Sequence, residues 1–345
     1  MSGIKSLKLK NLTAFEKLDL KFSPGVNVLI GENGTGKTHL LKVLYTACAI
    51  TEEKDREKGF GAKLRNVFNP YEGRIGRLAR RVDVSSKVSI VVETTDNAIL
   101  SATFSNHTDR AEKVSVTGED AWGRNSITGV FIPVKEMLAH APGFRALYAK
   151  REIAFEEVYP DLVDLAFLPK LKGPTDNPRK RLLVELQKAI EGKVVVKGEH
   201  FFLQNNQGDL EFSLLAEGIR KLALIWLLIQ NGTLQNGSVL FWDEPEAHLN
   251  PARLGDVVGI ILELQRLGVQ VFLSTHNYVL LKEFDLMKKD GDKVSYISLY
   301  RETNGSGVTA STSDNYDGIE PNAISDTFGS LYDREIERSV KAFKQ

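Results

Sequence analysis

Residues 31–38 read Gly-Glu-Asn-Gly-Thr-Gly-Lys-Thr and satisfy the pattern G-x-x-x-x-G-K-[ST]. Val26 to Ile30, directly before it, reads as a buried strand. Leu40, Leu41, Leu44, Tyr45 and Ala47, after it, fit a helix over Thr38 to Ile50. Strand, glycine loop and helix N-terminus together form an anion cradle. The glycines let successive backbone N–H groups curl round phosphates, Lys37 can reach their outer oxygens, and the Thr38 hydroxyl can ligate Mg²⁺. A glycine-rich structural turn is the bland alternative, and the flanking strand and helix argue against it. A chain with this unit must build at least part of its core as a parallel α/β sheet.

A second strand carries the complementary chemistry. Val239-Leu240-Phe241-Trp242 ends in Asp243-Glu244, as a buried parallel strand would when delivering carboxylates to its C-terminal edge. Asp243 can hold Mg²⁺, and Glu244 can orient and deprotonate a water attacking a terminal phosphate. Two solvated acids at a strand end are the simpler reading, weakened by the loop at 31–38. Phe272-Leu273-Ser274-Thr275-His276 follows after a helix from about Pro251 to Leu267.

The 345 residues allow about two domains, or one with a large insertion. With 42% hydrophobic and 26% charged residues, neither disorder nor a fibrous architecture fits. Lys+Arg and Asp+Glu both number 45, so nucleic acid would have to be held by a local patch. The single cysteine, Cys48, excludes an intrachain disulfide and a sulfur-based metal site. The start, MSGIKSLKLK, lacks a signal-peptide core, and the longest strongly apolar run, Leu222 to Ile229, is far short of the roughly 18 residues of a membrane span. A cytoplasmic protein without membrane contact is expected.

Leu18, Leu20 and Phe22 alternate as a half-buried strand. Val88 to Val92, Ile99 to Phe104 and Val114 to Val116 predict an antiparallel meander. Residues 135–190 read as short helices interrupted by Pro142, Pro160, Pro169 and the loop KGPTDNP, without the continuous heptads of a coiled-coil arm. Residues 193–214 predict two strands around Gln207-Gly208-Asp209, SYISLY a strand, GSGVTASTSDNYDG a loop and 321–342 a helix. Lys63, Arg65, Arg74, Arg77, Arg80 and Arg81 form a basic stretch opposed only by Glu72. They would contact DNA phosphates if they shared one face, and a solvated helix face is the alternative.

GENGTGKT and DEPEAHLNP (243–251) resemble the ABC-type ATPase superfamily in its SMC, RecF and OLD-like branch, which includes soluble ATP-binding proteins of bacterial anti-phage systems. The resemblance covers residues 1–50 and 210–282, and more weakly 283–345. It implies an α/β fold: an ABC-type P-loop ATPase head with an antiparallel β subdomain and a compact helical insertion. The expected parts are an N-terminal lobe (1–132), the insertion (133–192) and a C-terminal lobe (193–345). Leu215-Ala216-Glu217-Gly218 is similar to the family signature that contacts the γ-phosphate bound by the opposite subunit, with Ala216 where the family has serine. His276 resembles the switch histidine that senses that phosphate. Asn250 resembles the loop linking the two nucleotide sites, although a helix cap before Pro251 explains it too. The family's glutamine loop is not found; Pro133-Val134-Lys135-Glu136 stands in its place. Asp243 follows Lys37 by 206 positions, which fits a split ABC-type head and argues against AAA+ mechanoenzymes.

The implied cofactors are ATP and Mg²⁺. Gly31, Asn33, Gly34, Thr35, Gly36, Lys37, Thr38 and Gly218 would bind nucleotide, Thr38 and Asp243 the metal, and Glu244 and His276 would be catalytic. OLD-family nucleases add a Toprim domain with a DxD metal site; Asp290-Gly291-Asp292 matches by letter but reads as a polar turn. The expectation is therefore an ATP hydrolase that forms a head-to-tail dimer or higher oligomer and controls a separate effector such as a nuclease or toxin, in phage defence or DNA maintenance. A RecF-like DNA clamp or mediator and a nucleotide-binding scaffold with little turnover are the alternatives.

Overall fold

The computed structural model describes residues 3–82, 84–173, 176–302 and 307–343. The chain opens with strands β1 (Ile4–Leu12), β2 (Phe15–Lys21) and β3 (Val26–Gly31), then helices α1 (Lys37–Ala49), α2 (Glu53–Arg56) and α3 (Gly59–Phe68). Next come β4 (Lys87–Thr94), β5 (Ile99–Ser105), β6 (Ser115–Thr117), the short helix α4 (Glu119–Trp122) and β7 (Gly129–Ile132). Three helices, α5 (Phe144–Ala149), α6 (Val158–Ala166) and α7 (Asn177–Ala189), lead into β8 (Lys193–Lys197), β9 (His200–Asn205) and β10 (Gly208–Glu211). The remainder is α8 (Glu217–Gln230), β11 (Val239–Asp243), α9 (Leu254–Arg266), β12 (Gln270–Thr275), α10 (Tyr278–Met287), β13 (Val294–Arg301), β14 (Val308–Ser313) and α11 (Ala323–Phe343).

The central sheet has the order β14-β13-β3-β12-β11-β7, all neighbours parallel except the β13–β14 pair. β3, β7, β11 and β12 are buried along their whole length, as a sheet covered on both faces requires. Side chains on β11 alternate between two cores: Leu240 and Trp242 join the core under α8, α9 and α10, while Val239 and Phe241 join the core under α1 and the antiparallel sheet. That second sheet, β2-β1-β4-β5-β6, is antiparallel throughout. Leu138, Phe144, Leu162 and Leu186 of the 133–192 segment lie in the same core as α8 and α9.

The fold departs from the sequence reading in several places. β1 was not identified, because its alternation of Leu7 and Leu9 with Lys8 and Lys10 lies in the lysine-rich start. GSGVTASTSDNYDG is not a loop throughout: Val308–Ser313 is an edge strand on β13, where β-branched Thr309 and Thr312 suit a strand whose side chains are mostly not core. Gly305 and Ser306 of that stretch, like Pro174 and Thr175 of KGPTDNP, lie outside the described residues. Three strands, not two, occupy 193–211. Pro160 does not break a helix; it sits in the first turn of α6, where no intrahelical N–H bond is lost.

Lys63 is corrected most sharply. Its side chain is 0% exposed, and its ammonium is 2.6 Å from Asp161, 2.7 Å from Asp55 and 3.6 Å from Glu157. Burial pulls the Lys63 pKa down, but Asp161, Glu157 and Asp55 outweigh it and the net shift is upward. Lys58 closes the cluster at 3.0 Å from Asp55 and 2.8 Å from Glu157, and the Tyr45 hydroxyl donates to Asp161. Lys63 therefore joins α3 to α6 and cannot touch a DNA phosphate. Lys63→Ala is expected to lower unfolding stability by about 3 to 5 kcal/mol, because it leaves buried carboxylates uncompensated. A chemical denaturation midpoint close to that of the unmodified chain would contradict this role.

Candidate functional site

Two glycines are fixed by the space around them. Gly36 has φ 91° and a Cβ there would fall 2.6 Å from the Phe15 ring; Gly31 has φ 147° and a Cβ would fall 2.3 Å from the Leu299 carbonyl oxygen. The loop thus turns tightly from β3 into α1, with Thr35 Oγ1 donating to the Glu32 carbonyl at 2.8 Å. Asn33 and Gly34 are exposed at its tip. Lys37 is buried and folds back over the loop, its Nζ donating to the Gly31 and Glu32 carbonyls at 2.6 and 3.0 Å. Burial lowers the Lys37 pKa, against the raising effect of Glu244, Asp243, Glu246 and Glu32.

Strand register brings the acids to this loop. β12 lies between β3 and β11, pairing Thr275 with Ile30 on one side and Ser274 with Asp243 on the other. Ser274 Oγ donates to Asp243 Oδ1, and Thr38 Oγ1 lies 3.1 and 2.9 Å from the two Asp243 oxygens. Asp243 is buried, and burial pushes its carboxyl up despite those hydroxyls. One residue on, Glu244 has φ 48°, left-handed for a side chain that disfavours it. Its N–H donates to the Ser274 carbonyl and hydroxyl at 3.2 and 3.1 Å, and its Oε1 lies 3.3 Å from His276 Nδ1. Backbone strain of this kind gathers at functional sites.

Thr38 and Asp243 fit a hard cation: they put a hydroxyl and a carboxylate in contact at the mouth of the loop. Among the described residues no three His, Cys, Asp or Glu side chains form a protein-only metal site. The donor set suits Mg²⁺, which keeps waters and takes one or two carboxylates plus phosphate oxygens.

The signature residues are placed elsewhere. Gly218 lies in the first turn of α8, where a Cβ would fall 2.5 Å from Leu249 Cδ2, and no side chain caps Ala216 at the N-terminus. Asn250 caps the turn at Pro251–Arg253 by accepting from the Ala252 N–H at 3.0 Å, as the helix-cap reading requires. Asp292 accepts from Arg266 at 2.9 Å in the turn after α10, so Asp290-Gly291-Asp292 is a polar turn. Of the remaining basic residues, Arg74 pairs with Glu72 and Arg80 with Glu16. Arg77, Arg80 and Arg81 line, with His39, Phe68 and Arg301, a cleft of about 560 Å³. Burial pushes the His39 imidazole down to about 4.

Four features escaped the sequence reading. Ser274 and Glu246 stand inside the quoted motifs, and polar residues in otherwise apolar strand ends were the available signal. Glu246 accepts from Thr275 Oγ1 at 2.7 Å and from the His276 N–H at 3.2 Å, so it holds the chain where β12 ends. Arg301 Nη2 donates to the Gly34 carbonyl at 3.0 Å. Arg220 donates to Glu136 at 2.5 Å, and the Glu136 N–H donates to Glu217 at 3.3 Å, joining the segment after β7 to the start of α8. No local pattern foretells the last two.

Glu246 is buried with one oxygen lacking a partner, and burial raises its pKa against the bonds from Thr275 and His276. A carboxyl raised on folding gives stability that is full below its unfolded pKa and lost as pH rises through the folded one. Unfolding free energies of the chain and of Glu246→Gln should therefore diverge in the variant's favour as pH rises above about 4.3. A pH-independent difference would show that Glu246 does not titrate in this way.

The family described as "AAA domain, putative AbiEii toxin, Type IV TA system" matches residues 26–282. DNA replication and repair protein RecF of Limosilactobacillus fermentum is 41% identical over 88 residues, 24% of this chain and 23% of the relative. RecF of Listeria monocytogenes is 45% identical over 87 residues, 25% of this chain and 23% of the relative. The chain thus matches less than a quarter of the length of these curated relatives. In fold it is similar to an Smc head bound to the C-winged helix domain of ScpA, at TM-score 0.56 and 13% identity, covering 90% of this chain and 97% of that one. An Smc head with coiled coil and joint from Pyrococcus yayanosii gives TM-score 0.56 at 11% identity, with the same coverage. The chain belongs to the AAA_21 family and has the P-loop ATPase fold of Smc heads.

Proposed function

We propose that the chain hydrolyses Mg-ATP, closes on a second copy when ATP binds, and in that way controls a separate effector such as a nuclease or toxin in phage defence or DNA maintenance. One observation carries the reading: Lys37 and Thr38 at the start of α1, Asp243 and Glu244 at the end of β11 and His276 after β12 converge on one strand-end edge. Lys37 would exchange its two loop carbonyls for phosphate oxygens, and Thr38 and Asp243 would hold Mg²⁺, which supplies charge neutralisation at the phosphates. Glu244 would take the proton of the attacking water, with His276 orienting its carboxylate and sensing the γ-phosphate. The α8 N-terminus at Gly218 of one copy would face the phosphate loop of the other, through backbone N–H groups and helix dipole because Ala216 brings no hydroxyl. The base and sugar would occupy the cleft lined by His39, Phe68 and Arg301. The three-part division at 132 and 192 belongs to the same reading, as does a cytoplasmic setting; no described helix is long and apolar enough to cross a membrane.

Steady-state turnover tests it. Glu244→Gln should cut the rate by about 10² to 10⁴ while leaving ATP bound, and Lys37→Ala should abolish binding; undiminished turnover in Glu244→Gln would reject the assigned base.

A RecF-like DNA clamp is a second reading, favoured by the RecF similarity and by Arg77, Arg80 and Arg81 sharing one cleft. A nucleotide-binding scaffold with little turnover remains the third, since Ala216 departs from the signature. If those three arginines each neutralise a phosphate of duplex DNA, the log–log salt dependence of binding should have a slope of about −2.7. A flat dependence would remove DNA from this cleft.

A further inference from the structure

Helix α11 stands off the body of the protein. Its first turn is anchored: Ile324 is buried, Asn322 accepts from the Ser325 N–H at 3.1 Å, and Phe328 stacks on Tyr278 with ring centroids 4.5 Å apart. From Asp326 to Ala342 every residue is exposed. Helices in proteins are held mainly by packing an apolar face rather than by intrinsic propensity. Beyond Phe328 the face has no neighbour among the described residues: Leu331, Tyr332, Ile336 and Val340 are each between 47% and 66% exposed.

The spacing of that face limits what can cover it. Ile324, Phe328, Tyr332, Ile336 and Val340 recur at every fourth position, an i±4 ridge rather than an a/d seam. Such a ridge packs into the matching groove of another helix at an oblique angle of about 50°. The rows beside it are acidic along the middle of the ridge, Asp333 and Glu337 on one side and Glu335 on the other, with Lys341 beside Val340 at its end, whereas Arg334 and Arg338 fall on the back. A second copy would bring acid rows against acid rows, and an anionic lipid surface or DNA would meet the same charge.

We propose that this ridge is the docking site for a helix of a different polypeptide, one whose apolar row is bordered by lysine and arginine. The proposal rests on the effector-control reading and adds where the effector is held. Two measurements on the full chain test it. Binding of a fluorescein-labelled amphipathic Leu/Lys helical peptide, followed by anisotropy, should exceed that of a Leu/Glu peptide and weaken with salt. Ile336→Ser and Val340→Ser should each reduce it about tenfold or more, whereas Ser330→Ala on the back should leave it unchanged. Equal binding of both peptides, or no loss in the ridge variants, overturns the proposal.

In cells, a photo-crosslinking residue at Tyr332 or Ile336 should give one adduct, mapped to a basic amphipathic segment of another chain, and at Ser330 or Arg334 at least tenfold less. Adducts to a second copy, to an acidic segment, or equally from both faces would overturn it, as would no adduct. Adducts in a chain whose Glu244→Gln turnover test fails would retain the docking site and reject the ATPase mechanism; normal turnover without adducts would do the reverse.

Discussion

The pairing of β12 with its two neighbours is the constraint on which the site depends. β3 ends in the phosphate loop, β11 ends in the acids, and the two do not touch; β12 sets their separation by register on both flanks. Because side chains alternate along a strand, a one-residue slip would turn Ser274 away from Asp243 and reverse which core receives Leu240 and Phe241. Burial on both faces makes that slip prohibitive. Apolar packing thereby determines where a hydroxyl, a carboxylate and a lysine meet, and no loop flexibility is needed to assemble them.

Much of this was legible because the site lies at strand ends and each strand announces itself by an apolar run. Val26 to Ile30 and Val239 to Trp242 can be read as buried strands without knowing their partners, and glycine spacing then specifies the turn. Parallel order was implied by the helix between Asp243 and His276. What could not be read depends on residues far apart in the chain. Arg301 reaches Gly34 across 267 positions, and Lys63 finds Asp161 across 98. In a local window Lys63 belongs to a basic stretch; its real environment is set by carboxylates on α2 and α6. Edge strand β14 was missed for a related reason: a Ser/Thr-rich segment has little alternation to detect, and the order comes from β13 beside it.

The two acids illustrate how one strand end produces unlike groups. Asp243 is the last residue of regular β structure, enclosed and bound by two hydroxyls; Glu244 has left the sheet, is partly open to solvent, and faces an imidazole. Adjacent residues with the same charge therefore experience different environments, and under the proposed mechanism that difference would let one serve a cation while the other serves a water.

The backbone at Glu244 adds a tension between fitness for chemistry and fitness for folding. Its left-handed φ of 48° is a conformation glycine adopts freely, so glycine there would relax the local strain and make the folded chain more stable while removing the carboxylate. A screen that rewarded thermal tolerance alone would drift toward that change.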